Sequence, residues 1–150
     1  MLLRYLVIPL FLIEFFACSE PDTVTLEFRI AEKEPVQGLT EMVFEPTGES
    51  FYLHSEVLVD QSDVESAKVA IQNERPVVEL VLTREGAKKF EELTGNNIGK
   101  HCGMVLNGQL VSAPIIRDTI SVGRAIIVGD FTEDEAQRIA EGLKNPEAGL

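Results

Sequence analysis

The sequence predicts a two-layer α+β domain, in which hairpins build an antiparallel β-sheet and two helices pack on one face of that sheet. The first observation is a series of short apolar runs separated by turns rich in Pro, Gly and Asn. The second is a pair of segments with apolar residues at helical spacing, each preceded by a threonine that can cap it. Because each helix must bury its apolar stripe, the two helices are expected to cover the sheet.

The composition is typical of one globular domain with a conventional core. The chain has 150 residues, of which 45% are apolar and 25% charged. Its 25 acidic and 13 basic residues give a formal net charge of −12. Because this charge repels phosphate, neither nucleic acid nor an anionic lipid surface is an expected electrostatic partner.

The first seventeen residues are typical of an export signal. Arg4 supplies one positive charge, an apolar run follows from Tyr5 to Ile13, and the small residue Ala17 precedes Cys18. The run is too short to span a bilayer, which needs about 20 helical residues. Residues 1–17 are therefore predicted to be a cleaved signal peptide, with an uncleaved anchor or a cut elsewhere as the alternatives.

Cys18 resembles the cysteine of a bacterial lipobox, which is diacylated on its thiol and becomes the new N-terminus. The chain departs from the lipobox at Phe15, where Leu is usual, and by the charge of Glu14. Two acyl chains would tether the mature protein stably to a membrane surface. The predicted organisation is a lipoprotein signal peptide over 1–17, a tether over 18–23, a folded domain over 24–145 and a tail over 146–150.

The first half of the domain is predicted to contain strands. Apolar and polar residues alternate from Val24 to Ile30, which is the pattern of a half-buried strand. The segment 64–71 fits either a helix or a strand, and the β-branched run that follows it favours a hairpin. The predicted strands of this half are 24–30, 42–44 paired with 51–53, 57–59, and 64–71 paired with 76–82.

The second half is predicted to contain both helices. Thr83 and Thr132 are N-cap candidates, and Glu135 completes a capping box with Thr132. The predicted helices run from 83 to 93, where Gly95-Asn96-Asn97 stops the first, and from 132 to the terminating Asn145-Pro146.

The dipeptide Asn107-Gly108 is the strongest local signal in the chain, because it readily adopts the two positive φ angles of a type I′ hairpin turn. It predicts a hairpin of 101–106 with 109–113, in which Pro114 ends the pairing. Gly123 then marks a turn before a further strand over 124–128.

Four residues have side chains that could serve catalysis: His54, His101, Cys102 and Ser112. Adjacent residues of a strand point to opposite faces, so His101 and Cys102 are not expected to form a nucleophile–base pair. Two His and one Cys without regular spacing make a poor zinc site. Cys102 lies in an apolar run and is expected to be buried. The sequence therefore predicts a protein that is not an enzyme and has no metal or cofactor.

An ordered set of positions resembles the head subdomain of the first periplasmic loop of SecD, a subunit of the bacterial protein-export machinery. The segment Leu26-Glu27-Phe28-Arg29 is similar to the strand that opens that region, and the resemblance runs from about residue 26 to 143, weakly between 31 and 63. The other similar positions are Gly86-Ala87, Phe90, Thr94, Gly99-Lys100, Leu106-Asn107-Gly108, Ser112-Ala113-Pro114, Ile116, Ile120, Gly123, Ile127, Gly129, Phe131, Glu135-Ala136, Ala140 and Leu143.

The resemblance implies an extracytoplasmic domain that contacts a polypeptide during export. In the family this subdomain is thought to move against a base subdomain while membrane-spanning helices use the proton gradient. The expected partner is a polypeptide or an envelope protein, including export machinery, and the membrane is contacted through the lipid anchor only. The candidate partner-binding surface comprises Asn107, Gly108, Ser112, Ala113 and Pro114. The alternative is an envelope structural or interaction lipoprotein that reuses the fold without an export role.

Overall fold

A computed structural model describes residues 23–144, so the predicted signal peptide, Cys18 and the tail over 146–150 lie outside the described residues. The described part contains nine strands and two α-helices, with a short 3-10 helix at Gln61–Asp63. The strands are β1 Leu26–Glu32, β2 Thr40–Phe44, β3 Glu49–Leu53, β4 Val59–Asp60, β5 Val64–Gln72, β6 Arg75–Leu82, β7 His101–Leu106, β8 Gln109–Ser112 and β9 Arg124–Ile127, and the helices are α1 Arg84–Asn96 and α2 Glu133–Gly142.

The strands form two antiparallel sheets, which we call the large and the small sheet. The large sheet has the order β2-β3-β1-β7-β8, with β4 paired to β1 beside β3. The small sheet has the order β5-β6-β9. The α+β class with two helices is confirmed, and the strands are divided between two sheets instead of one. Strand β1 pairs with β7, although strands β2 to β6 and α1 lie between them in the chain, and β6 pairs with β5 and β9 instead of joining the large sheet.

The segment 64–71, which fits a helix or a strand by sequence, is part of strand β5. It pairs with β6 through a turn in which Asn73 and Glu74 both have positive φ, at 49° and 64°. The predicted strand over 57–59 is present only as β4, which begins at Val59, although the Leu58 N–H already donates to the Phe28 carbonyl at 3.0 Å.

Both helices begin at the predicted threonines. The Thr83 hydroxyl accepts a hydrogen bond from the Gly86 N–H, and Thr132 forms the predicted capping box with Glu135. Helix α1 runs three residues beyond the predicted Leu93, because the Asn97 side chain donates to the Leu93 carbonyl at 2.9 Å and closes the last turn. Helix α2 ends at Gly142, with Leu143 as its C-cap, before the predicted stop.

One large apolar cluster, which we call the main core, joins both sheets and both helices. Phe28 of β1 and Phe90 of α1 meet edge to face with ring centroids 5.7 Å apart. The small sheet contributes Leu80 and Ile127, and α2 contributes Ala140. The predicted helical stripes are therefore the faces that the two helices bury.

Strand β8 ends at Ser112, but the chain after it stays paired with the start of β7 past the predicted stop at Pro114, through an isolated bridge between His101 and Ile115. The Cys102 N–H donates to the Pro114 carbonyl at 2.9 Å, and the Ile116 N–H donates to the Lys100 carbonyl at 2.8 Å. The prediction was wrong because proline lacks only the donor and keeps its carbonyl as an acceptor. Only the reciprocal bond, from residue 114 to the Cys102 carbonyl, is lost, because proline has no N–H to donate.

Candidate functional site

The second face of the large sheet carries a smaller apolar cluster, which we call the small cluster. It is separate from the main core and draws on β1, β2, β3, β7 and β8. Its buried members are Ala31, Phe51, Leu53, Val105 and Leu110, and its half-buried members are Met42, Phe44 and Ala113. The sheet curls around this cluster. The curl brings Cα atoms of its two edge strands, β2 and β8, within 8 Å of each other, although the two strands do not pair.

A groove of about 1000 Å³ lies beside these two facing edges. The groove is lined by β2 and the turn after it, and by the Asn107-Gly108 turn and β8. Phe131 and residues of α2 complete the lining. An edge strand presents main-chain N–H and C=O groups that have no partner on its outer side, so the groove is bordered by two rows of such groups.

The charged residues of the groove are predominantly acidic. Four carboxylates and one guanidinium line it, and they belong to Glu41, Glu45, Asp130, Glu135 and Arg138. The pKa of the Glu135 carboxyl is lowered, because this group accepts hydrogen bonds from the backbone N–H and the hydroxyl of Thr132 at 2.8 and 2.9 Å. The groove therefore favours a cationic over an anionic occupant.

Asn107, a predicted surface residue, holds the groove wall in place. Its side-chain Oδ1 accepts the Thr25 N–H at 2.9 Å, and its own N–H donates to the Thr25 carbonyl at 3.0 Å. Asn107 has φ 47° and Gly108 has φ 79°, which are the positive angles that the dipeptide predicts. The turn thus joins the hairpin β7–β8 to the beginning of β1, and Gly108 is exposed beside it.

The other three predicted surface residues lie farther along the hairpin and outside the groove lining. Ser112 is opposite Met104, next to a register shift in the β7–β8 pair. Ala113 packs against the small cluster, and Pro114 is exposed. The structure therefore brings Asn107 and Gly108 to the groove and separates them from Ser112, Ala113 and Pro114.

The candidate catalytic side chains are dispersed over the domain and have structural contacts. His101 Nδ1 lies 2.7 Å from the Ala113 carbonyl, and its ring meets Phe51 edge to face. Cys102 is buried on the opposite face, in the main core, and desolvation raises the pKa of its thiol to about 12. The thiol is therefore protonated at neutral pH, and the predicted separation of His101 and Cys102 is confirmed.

His54 belongs to a small ionic network at the other end of the large sheet. Glu32 Oε1 lies 3.0 Å from His54 Nε2 and 3.1 Å from Lys100 Nζ. These two hydrogen bonds lower the pKa of the Glu32 carboxyl. Within residues 23–144, no group of three or more His, Cys, Asp or Glu side chains is arranged to hold a metal ion.

Most of the groove lining was not predicted from the sequence. Phe44 belongs to a predicted hairpin and Phe131 to the positions that resemble SecD, but no local pattern connects either of them with Glu41. They meet because β2 and β8 are both edges of the same curled sheet, and this depends on pairing between distant strands. The one available signal was Asn107-Gly108, which marked one end of the groove.

The sequence of the chain matches a known family over most of its length. Residues 37–146 match the family described as "SecDF, P1 head subdomain". The chain is 44% identical over 89 residues to the protein translocase subunit SecDF of Thermus thermophilus, which is 59% of this chain and 12% of that protein. It is 44% identical over 96 residues to the protein translocase subunit SecD of Elusimicrobium minutum, which is 62% of this chain and 20% of that protein. The matched region thus spans a fifth or less of the length of these relatives.

Solved structures agree with the sequence comparison. A structure described as "Structure and function of a membrane component SecDF that enhances protein export" superposes with a TM-score of 0.67 and 32% identity, over 83% of this chain and 63% of that chain. A second, the "Crystal structure of SecDF in Super-membrane-facing form", gives the same TM-score and identity over 83% of this chain and 19% of that chain. In residues 23–144 neither helix has the length and apolarity needed to cross a membrane. The chain belongs to the SecDF P1 head subdomain family.

Proposed function

We propose that this domain binds an extended polypeptide segment in the groove beside β2 and β8 and thereby assists protein export. The observation that carries the proposal is the pair of facing, unpaired edges in one curled sheet. An extended chain can add to an exposed sheet edge through main-chain hydrogen bonds, while pockets receive alternate side chains. Such binding tolerates many sequences, as a protein that handles exported chains requires.

The side chains of the groove add a preference to this mode of binding. The half-buried Met42 and Phe44 border the groove and offer apolar contact to alternate side chains of a bound strand. The four carboxylates favour lysine and arginine at the remaining positions. The preferred occupant is therefore an extended segment in which apolar and basic residues alternate.

The proposed setting is extracytoplasmic, with the domain tethered by a diacylated Cys18. Thr23, which is the first described residue, lines the groove. The five Cα–Cα steps from Cys18 to Thr23 span at most about 18 Å when the chain is fully extended. The lipid anchor would thus hold the groove close to the membrane surface, where an exported chain emerges.

The proposed activity is binding without bond-making chemistry. Cys102 is buried with a raised thiol pKa, and His54 is engaged with Glu32 on a different part of the domain from the groove. These placements support a role in which partners are held and released, with no cofactor.

A peptide-binding measurement on the full chain in detergent tests the groove. The probe is a labelled peptide of alternating valine and lysine, compared with the same peptide in which glutamate replaces lysine. Val43 of β2 lines the groove and is 43% exposed, whereas Val36 is 49% exposed and lies outside the lining. The variant Val43→Arg should weaken binding at least tenfold, and its matched control Val36→Arg should leave binding unchanged.

The same assay distinguishes the groove from the surface that the sequence suggested. The double variant Ser112→Arg with Pro114→Arg changes that surface without altering the groove lining. If this variant abolished binding while Val43→Arg had no effect, the occupant would bind along the outer hairpin and the groove proposal would be wrong.

The alternative role as an envelope interaction protein needs a separate experiment. The tagged chain is recovered from crosslinked envelope, and the intact mass of its N-terminus is measured in the same preparation. Export machinery or unfolded secreted chains, together with a diacylated Cys18, would support the export role. Unrelated envelope partners would support reuse of the fold for a different task.

A further inference from the structure

Strand β9 forms an edge of the small sheet, on the opposite side of β6 from β5. Three large apolar residues in or beside it are exposed: Val122 by 75%, Ile126 by 38% and Val128 by 47%. Natural edge strands are commonly protected by proline, by lysine or by a covering loop. The sequence from Arg124 to Val128 contains neither proline nor lysine. This edge is therefore suited to receive another strand.

The pairing with β6 determines which main-chain groups of β9 point outward. The Leu82 N–H donates to the Gly123 carbonyl at 2.9 Å, and along the same ladder Leu80 is opposite Ala125. Hydrogen-bonded and non-hydrogen-bonded pairs alternate in an antiparallel ladder, so Ala125 and Ile127 bond toward β6. The N–H and C=O groups of the alternate residues, Arg124, Ile126 and Val128, consequently point to the free edge.

The chain beyond Ile127 is left unpaired by a proline. Continuing the β6–β9 register places Gly129 opposite Pro76, in a pair that would be hydrogen-bonded. Because Pro76 has no N–H, the ladder stops at Ile127. Residues 128–130 thus have no partner from β6 and extend the available edge.

The charges at the two ends of this edge are complementary to each other. Arg124 and Asp130 are both exposed and lie at equal distances in sequence from Ile127. In residues 23–144 neither forms an ion pair within the chain. An antiparallel copy of the segment, centred on Ile127, places Arg124 opposite Asp130 and Ile126 opposite Val128. Both of these pairs consist of residues whose main-chain groups face outward.

We infer that the β9 edge binds a second copy of this chain, in a two-fold antiparallel pairing of residues 124–130 that joins the two small sheets into one. The self-complementary charges, the outward main-chain groups and the exposed Ile126 and Val128 all fit the same register. A two-fold interface must be self-complementary, and this segment has that property. The segment is short and each chain carries a net charge of −12, so the association is weak and is strengthened by a shared membrane surface.

A charge-reversal cycle tests the register. Sedimentation equilibrium of the full chain in density-matched detergent, at salt near 0.15 M, where the Debye length is about 8 Å, measures the dimer constant. Arg124→Asp places two aspartates opposite each other, and Asp130→Arg places two arginines opposite each other. Each single variant should weaken the dimer at least tenfold, and the double variant should restore it. Both side chains are exposed, so the fold is expected to be unaffected.

The matched control is Lys88→Glu on α1, which reverses an exposed charge that lies outside the small sheet and belongs to none of the ion pairs among residues 23–144. It should leave the dimer constant unchanged. A chain that stays monomeric at millimolar concentration would overturn the inference, and so would single variants without effect or a double variant that fails to restore the dimer.

Amide hydrogen exchange locates the interface independently. Protection of the Ile126 and Val128 amides should rise with protein concentration, whereas the Ala125 and Ile127 amides, already bonded to β6, should not change. Protection of Ile126 and Val128 that does not depend on concentration would assign the edge to an intramolecular partner and overturn the proposal.

Discussion

The two apolar clusters on opposite faces of the large sheet differ in what they do for the protein. The main core receives side chains from both sheets and both helices, and its largest members are inaccessible to solvent. The small cluster is built by the large sheet alone, and three of its eight members are only half-buried. Strand β7 contributes side chains to both clusters: Cys102 and Met104 face the main core, and Val105 faces the small cluster.

The difference separates the source of stability from the place of binding. Burial of apolar surface contributes about 25 cal/mol per Å², so the larger and drier cluster accounts for most of the stabilisation. The small cluster opens onto the groove at Met42 and Phe44, where a bound segment can complete its burial. A half-buried cluster costs some stability in the empty protein and provides contact area for a partner.

The largest predicted effect is on the main core. Phe28→Ala should lower the free energy of unfolding by about 3–5 kcal/mol, because it leaves a cavity against Phe90. Phe44→Ala in the small cluster should lower it by only about 1–2 kcal/mol, because Phe44 already contacts solvent. Urea unfolding followed by circular dichroism measures both.

The same pair of variants separates stability from binding. Phe44→Ala should reduce the free energy of binding of the valine–lysine peptide by more than it reduces the free energy of unfolding. Equal losses of stability for Phe28→Ala and Phe44→Ala would contradict the division into a stabilising and a binding face.

The second prediction concerns the pH dependence of the main core. Burial raises the pKa of the Cys102 thiol from its ordinary value of 9.0 to about 12. The unfolded chain therefore loses this proton at lower pH than the folded chain does. The stability due to Cys102 is complete below about pH 9 and declines by up to about 1.4 kcal/mol per pH unit as the pH rises toward 12.

Urea unfolding between pH 7 and 10.5, under reducing conditions, measures this decline. Cys102→Val supplies the control, because lysines and tyrosines still titrate in it and only the thiol is removed. The two proteins should differ progressively above pH 9, and parallel curves would show that the thiol is accessible when folded.

The smallest predicted effect compares the two hairpin turns. Glu74 has φ 64° in the β5–β6 turn, whereas Gly108 has φ 79° in the turn beside the groove. The left-handed backbone conformation costs a residue with a side chain about 1–2 kcal/mol, and glycine avoids this strain. Glycine loses more conformational entropy on folding, which offsets part of that gain. Glu74→Gly should therefore stabilise the domain by about 0.5–1 kcal/mol.

Gly108→Ala should destabilise it by a similar amount, and a thermal unfolding scan of each variant gives the sign. Peptide binding should be unchanged in Glu74→Gly, because the β5–β6 turn lies away from the groove lining. Destabilisation by Glu74→Gly would show that the glutamate side chain makes a contact worth more than the backbone strain.

Much of the fold follows from local patterns in the sequence. The alternation from Val24 to Ile30, the Asn107-Gly108 turn and the two threonine caps all predict elements that the structure contains, because each depends on residues a few positions apart. The errors occur where the outcome depends on distant partners. Pro114 continues its pairing because β7 presents a donor at Cys102. The extent of α1 depends on the Asn97 side chain bonding back to Leu93.

The sequence by itself determined the strands, turns, caps and buried helix faces, because side-chain periodicity and backbone preference act within a few residues. Only the tertiary structure decided that the strands divide into two sheets and that β2 and β8 become facing edges. Those features depend on the pairing of β1 with β7, whose residues Leu26 and Leu106 are opposite each other although 80 positions separate them in the chain. No local pattern specifies such a contact, since it is the burial of both faces of the curled sheet that selects it.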